Sequence, residues 1–190
     1  MADVLLYHHV QGLTDGVRAF ADELRRAGHT VHTPDLFDGR TFATIEDGMA
    51  YEQTRDALPD QAVAAAEKLG TDLVYAGFSL GVMFAQRLAQ TRGGARGALL
   101  FSGCLPVSEF GAAWPAGVPV QIHAKDADPY FAEEDGDLGA ARALVDSTTD
   151  AELFLYPGKE HLFADSSLPS YDEAAATLMT DRILAFLGAL

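Results

Sequence analysis

The sequence predicts an α/β protein built on one mostly parallel sheet of about six strands flanked by about five helices. Three observations carry this. Short apolar runs of roughly four to six residues recur along the chain without polar alternation, as expected of strands covered on both faces. Amphipathic, helix-like segments separate them, and such alternation argues for parallel crossovers. The 190 residues, 48% of them hydrophobic, suit one domain over residues 1–190, with no repeat, low-complexity tract or linker.

The elements follow in order. Val4 to His8 is an apolar run that starts the sheet. Asp15 can cap a helix to about Ala27, with Val17, Phe20, Ala21 and Leu24 on one face and Gly28 as its stop. A short strand spans Thr30 to Thr33 and ends at Pro34. Residues 35–48, rich in Gly, Asp and Thr, read as a loop. A helix from about Met49 to Leu69 is expected to break near Pro59. Leu73 to Ala76 is a buried strand, followed by a helix from Gly81 to Thr91. Ala98–Phe101, Val118–His123 and Leu153–Tyr156 are further strands. Leu138–Val145 and Ala174–Leu187 are helical.

Composition excludes some functions. A formal net charge of −15 argues against nucleic acid or an anionic membrane as partner, since both call for a basic surface. No apolar run approaches the ~18 residues of a membrane span. Met1 to Val10 has no basic region or small-residue cleavage site, so no signal peptide is expected. The single cysteine, Cys104, leaves no intramolecular disulfide. Together these point to a reducing, cytoplasmic setting.

Gly77-Phe78-Ser79-Leu80-Gly81 fits G-x-S-x-G. Its context strengthens it, because a buried strand precedes it and an amphipathic helix follows. A strand-to-helix turn this tight lifts the Ser79 hydroxyl over the sheet edge and aims the Leu80 N–H at a developing oxyanion. The expected fold is therefore a single-domain α/β-hydrolase with Ser79 as nucleophile. A serine needs a base, and only two histidines follow it. His123 lies inside a strand and reads as structural; His161 lies in a loop beyond the last strand and is the candidate base. Asp126 and Asp128 both follow the preceding strand, and spacing alone does not separate them.

These residues resemble the dienelactone hydrolase family, from Val4 to about Leu187. The resemblance rests on Pro34-Asp35-Leu36-Phe37, on Gly77–Gly81, on His123 to Phe131, and on His161-Leu162-Phe163. It implies that Asp128, five residues past the strand histidine and before Pro129-Tyr130-Phe131, is the acid of the triad. It also implies that Val10 in the early loop supplies a second oxyanion N–H. The chain departs from the family in three places. Ser79 replaces the typical cysteine, His9 stands where a glutamate is typical, and Asp165 stands where an arginine binds the substrate carboxylate. Arg40 lies in the loop that would supply the other arginine.

The expectation is hydrolysis of a small ester or lactone through an acyl-enzyme, with no metal or organic cofactor. Alternatives on the same triad are a thioesterase, an acyltransferase or a peptidase; a non-catalytic binding member of the fold is a further one. His9, Arg40 and Trp114 are the candidate substrate-binding residues. Cys104 lacks the turn context and reads as a buried small hydrophobe.

Overall fold

A computed structural model describes residues 1–133 and 136–190. Its six strands form one sheet: β1 (Asp3–Tyr7), β2 (Thr30–His32), β3 (Val74–Phe78), β4 (Gly97–Phe101), β5 (Val120–Lys125) and β6 (Ala151–Tyr156). The order across the sheet is β2-β1-β3-β4-β5-β6, and every neighbouring pair is parallel.

Both faces of the four central strands are buried, and successive side chains alternate between them. Leu5, Tyr7, Tyr75, Ala98 and Leu100 join one core; Val4, Leu6, Val74, Ala76, Leu99 and Phe101 join the other. The first core is closed by α3 (Leu58–Glu67), α4 (Leu80–Thr91) and α5 (Asp137–Ser147) through Ala62, Phe84, Leu88 and Leu144. The second is closed by α1 (Asp15–Arg26) and α6 (Glu173–Ala189) through Phe20, Leu24, Met179 and Ile183. Strands covered in this way read as continuous apolar runs, which is why they stand out in the sequence.

The structure differs from the expectation in three places. Residues 35–48 are not loop throughout, because α2 (Ile45–Glu52) starts within them. Thr44 caps it, accepting from the Asp47 N–H and donating to the Asp47 carboxylate. The break expected near Pro59 falls between Glu52 and Leu58, and six α-helices, not about five, form among the described residues. Pro59 lies in the first turn of α3, where its missing N–H costs nothing. At α1 the cap is Thr14, not Asp15; Asp15 begins the helix, where a negative charge suits the dipole.

The strand registers place the site. Tyr7 pairs with Gly77, Phe78 with Phe101, and Lys125 with Tyr156. The carboxyl ends of these strands therefore lie along one edge. The loops leaving that edge carry Val10, Ser79, Ser102, Asp128 and His161. Strand order reverses between β1 and β3, and at such a switch point open parallel sheets form their clefts.

Candidate active site

Ser79 sits between β3 and α4 with φ 48° and ψ −109°, a conformation that costs a non-glycine residue about 1–3 kcal/mol. Its surroundings hold it there. The Ser79 N–H donates to the Phe101 carbonyl at 2.8 Å, and the Ser79 carbonyl accepts from the Val82 N–H at 2.8 Å. The flanking glycines are required by space. A Cβ on Gly77 would lie 2.2 Å from the Gly81 carbonyl oxygen, and one on Gly81 would lie 2.6 Å from that of Tyr7. The two glycines of G-x-S-x-G thus let β3, α4 and β1 meet beneath the serine.

Ser79 Oγ lies 2.8 Å from His161 Nε2, and His161 Nδ1 lies 2.6 Å from Asp128 Oδ2. An ionised carboxylate only accepts, so the His161 Nδ1–H donates to Asp128 and Nε2 is left to accept the Ser79 proton. Asp128 is fully buried, and its other oxygen accepts from the Tyr130 N–H at 2.9 Å. The structure thus separates the two aspartates that spacing left open. Asp126 is exposed, and its carboxylate caps the turn at the Gly158 N–H.

A cavity of about 300 Å³ opens above this group. Val10, Ile45, Met49, Leu80 and Tyr130 give it apolar walls beside Ser79 and His161. Leu80 is the first residue of α4, so its N–H has no partner within the helix. Val10 and Leu80 both line the cavity beside Ser79.

The three substrate-binding expectations do not hold in this geometry. His9 is fully buried and bonded to Asp165, and it does not line the cavity. The Arg40 guanidinium lies over the Tyr51 ring, 5.2 Å from its centroid, outside the cavity lining. Trp114 is packed in the core, where its indole N–H donates to the Val118 carbonyl at 2.7 Å. Aromatic and cationic residue types alone do not reveal whether a side chain is already committed elsewhere.

Other residues enter that the sequence did not single out. Glu52 and Asp137 bring carboxylates to the cavity, and among the described residues no Lys or Arg lines it. Asp137 Oδ2 accepts from the Cys104 N–H at 3.1 Å. Burial lifts the Asp137 carboxyl above the usual range, although that bond and His161 oppose the rise. Ser102, at the end of β4, also lines the cavity. The signal for Asp137 was its place at a helix start beyond the Asp128 loop, which is ordinary for a capping carboxylate.

The remaining candidates are structural. Burial, and then the Asp137 charge, push the Cys104 thiol up to about 12, so it stays protonated. His123 is buried, with Nδ1 2.8 Å from the Tyr156 hydroxyl and its ring stacked on Phe154. No group of three or more His, Cys, Asp or Glu that could hold a metal occurs among the described residues. No helix of the described residues is long and apolar enough to cross a membrane.

The sequence profile of the dienelactone hydrolase family matches residues 2–190. No curated protein matches. Among solved structures, the chain is similar to a dienelactone hydrolase-like promiscuous phosphotriesterase from metagenomic libraries, with 19% identity, TM-score 0.77, and coverage of 100% of this chain and 87% of that one. It is similar to the dienelactone hydrolase of Anabaena variabilis, with 16% identity, TM-score 0.68, and coverage of 100% and 86%. It is also similar to Thermogutta terrifontis esterase 2, solved phosphorylated by paraoxon, with 16% identity, TM-score 0.61, and coverage of 98% and 81%. At these identities the structural likeness speaks for the fold.

Proposed function

The chain belongs to the dienelactone hydrolase family, whose members are hydrolases acting on esters, and from that premise we propose a serine hydrolase that cleaves a small ester or lactone through an acyl-enzyme. One observation carries the reading: Ser79 Oγ, His161 and Asp128 form a continuous hydrogen-bonded relay beside an open cavity.

The geometry supports the following steps. Ser79 Oγ attacks the acyl carbon while His161 Nε2 takes its proton. The Asp128 carboxylate stabilises the imidazolium and holds the ring so that Nε2 faces the serine. The N–H groups of Val10 and Leu80 receive the oxyanion, whose charge exists only in the transition state and intermediate. His161 then returns the proton to the leaving alcohol. Water attacks the acyl-serine by the same route in reverse, with His161 again the base, and releases the acid.

The cavity bounds the substrate. About 300 Å³ is at the small end for a ligand pocket, and its apolar walls suit a short acyl chain. Two carboxylates, with no Lys or Arg lining the cavity among the described residues, disfavour a substrate with its own carboxylate. The partner is therefore a small neutral ester or lactone, and the acidic chain disfavours polyanions in general.

A fluorophosphonate probe tests the reading together with a screen of p-nitrophenyl esters and lactones. The wild type should be labelled once per chain, at Ser79, and should turn over short-chain esters. Paraoxon, by which Thermogutta terrifontis esterase 2 was phosphorylated, serves as a second probe. Ser79→Ala should lose labelling and roughly 10⁴-fold or more in kcat. Full activity in that variant would remove the nucleophile.

A further inference from the structure

His9 and Asp165 lie 156 positions apart in the chain, and both are buried. They are also two of the three positions at which the chain departs from the family pattern, and the structure joins them. His9 Nε2 lies 2.8 Å from Asp165 Oδ2. The Gln11 N–H donates to His9 Nδ1 at 3.2 Å, so the ring proton sits on Nε2 and is given to Asp165.

Asp165 collects three further donors. The Thr14 hydroxyl donates to Oδ2 at 2.5 Å, and the N–H and hydroxyl of Ser167 donate to Oδ1 at 2.9 and 2.6 Å. Only an acceptor on both oxygens satisfies this set. The approach is close: a Cβ on Gly16 would lie 1.7 Å from Asp165 Oδ1, so the start of α1 closes on the carboxylate only as glycine. Burial alone would raise the Asp165 carboxyl, yet the bonds from His9, Ser167 and Thr14 outweigh it and hold it below the usual range.

The two ends of this bond belong to different parts of the site. His9 begins the turn that carries Val10, and that turn is closed by the Gly12 N–H on the His9 carbonyl at 3.0 Å. Asp165 belongs to the segment after His161, and its N–H donates to the Leu162 carbonyl at 3.1 Å. One buried pair thus joins the loop of an oxyanion donor to the loop of the base.

We propose that His9 and Asp165 are positioning residues that set the Val10 N–H against Ser79 and His161. This rests on the serine hydrolase reading. Neither side chain touches substrate. An oxyanion donor acts only in the transition state, so its misplacement lowers kcat and leaves KM unchanged.

The test compares Asp165→Asn, His9→Asn and His9→Gln with the wild type on a p-nitrophenyl ester, with sites counted by fluorophosphonate titration. Counting sites removes any unfolded fraction. Asp165→Asn turns an N–H₂ toward donors, and His9→Asn is too short to reach Asp165. Both should lose about 10- to 100-fold in kcat at unchanged KM, as a misplaced oxyanion donor does. His9→Gln places an amide N–H near Nε2, and it should keep kcat within about fivefold of the wild type. Wild-type kcat per site in Asp165→Asn and His9→Asn overturns the proposal, even if their thermal midpoints fall. So does a His9→Gln variant as slow as His9→Asn. A wild type that neither labels nor turns over ester overturns the hydrolase reading, and this proposal with it.

Discussion

The Ser102 hydroxyl donates to the backbone carbonyl of His161 at 2.6 Å. Ser102 follows β4 with φ 54°, and its N–H is held by the His123 carbonyl at 2.8 Å. The sheet edge therefore grips the histidine loop by its backbone, while Asp128 grips the ring. Ser102→Ala keeps the Cβ and removes only the hydroxyl. Its expected effect is a loss of about tenfold in kcat with KM little changed, since the base loses its setting and not its chemistry. Steady-state kinetics on one p-nitrophenyl ester decides it. An unchanged kcat would mean that the loop is held sufficiently by Asp128 alone.

The buried aspartate should matter far more than its exposed neighbour. Asp128→Asn keeps the shape and removes the charge that stabilises the imidazolium. In the best-studied triad that change costs roughly 10⁴-fold. Asp126→Asn touches only a solvated turn and should cost less than about tenfold. The reverse order of damage would assign the acid to Asp126.

Substrate charge should be read by the cavity carboxylates. A matched pair of substrates, one bearing a free carboxylate and one its methyl ester, isolates the effect. The neutral member should have the higher kcat/KM by about tenfold or more, equivalent to about 1.4 kcal/mol. Asp137→Asn keeps an oxygen for the Cys104 N–H and removes one charge, so it should narrow the gap. Preference for the acid would show that a cation reaches the substrate after all, with Arg40 the first to examine.

Much of this was legible in the sequence, for reasons that differ by element. The strands stood out because both faces are covered. Ser79 stood out because strand, tight turn and helix leave a local pattern. Asp128 was harder, since a buried and an exposed aspartate two residues apart look alike until Tyr156 and Gly158 take the backbone of Asp126 and Ala127. The roles of His9, Arg40 and Trp114 went wrong because their partners, Asp165, Tyr51 and the Val118 carbonyl, are set by tertiary packing. The start of α2 was signalled by Thr44 and Asp47, but the glycines and threonines before it pointed to loop.

Two buried histidines should give the fold an acid-side weakness before the carboxylates titrate. The His8 ring donates from Nδ1 to the His9 carbonyl at 2.7 Å and accepts the Leu36 N–H on Nε2 at 3.1 Å, so it is neutral with a fixed tautomer. Burial lowers it to about 4, although the bond to the His9 carbonyl works the other way. Burial, with Arg182 nearby, lowers His123 to about 3. An unfolded imidazole takes its proton near 6.5, so below that pH the unfolded chain binds more protons than the native one. Stability is therefore full above about pH 6.5 and falls as pH drops toward 4, by at most about 3 kcal/mol for His8. Urea midpoints at pH 7.5, 5.5 and 4.5 should fall in that order, and the ring protons of His8 and His123 should not titrate by NMR above pH 5. A flat series of midpoints, or a His8 ring that titrates near 6.5, would show that these rings are not held neutral by the fold.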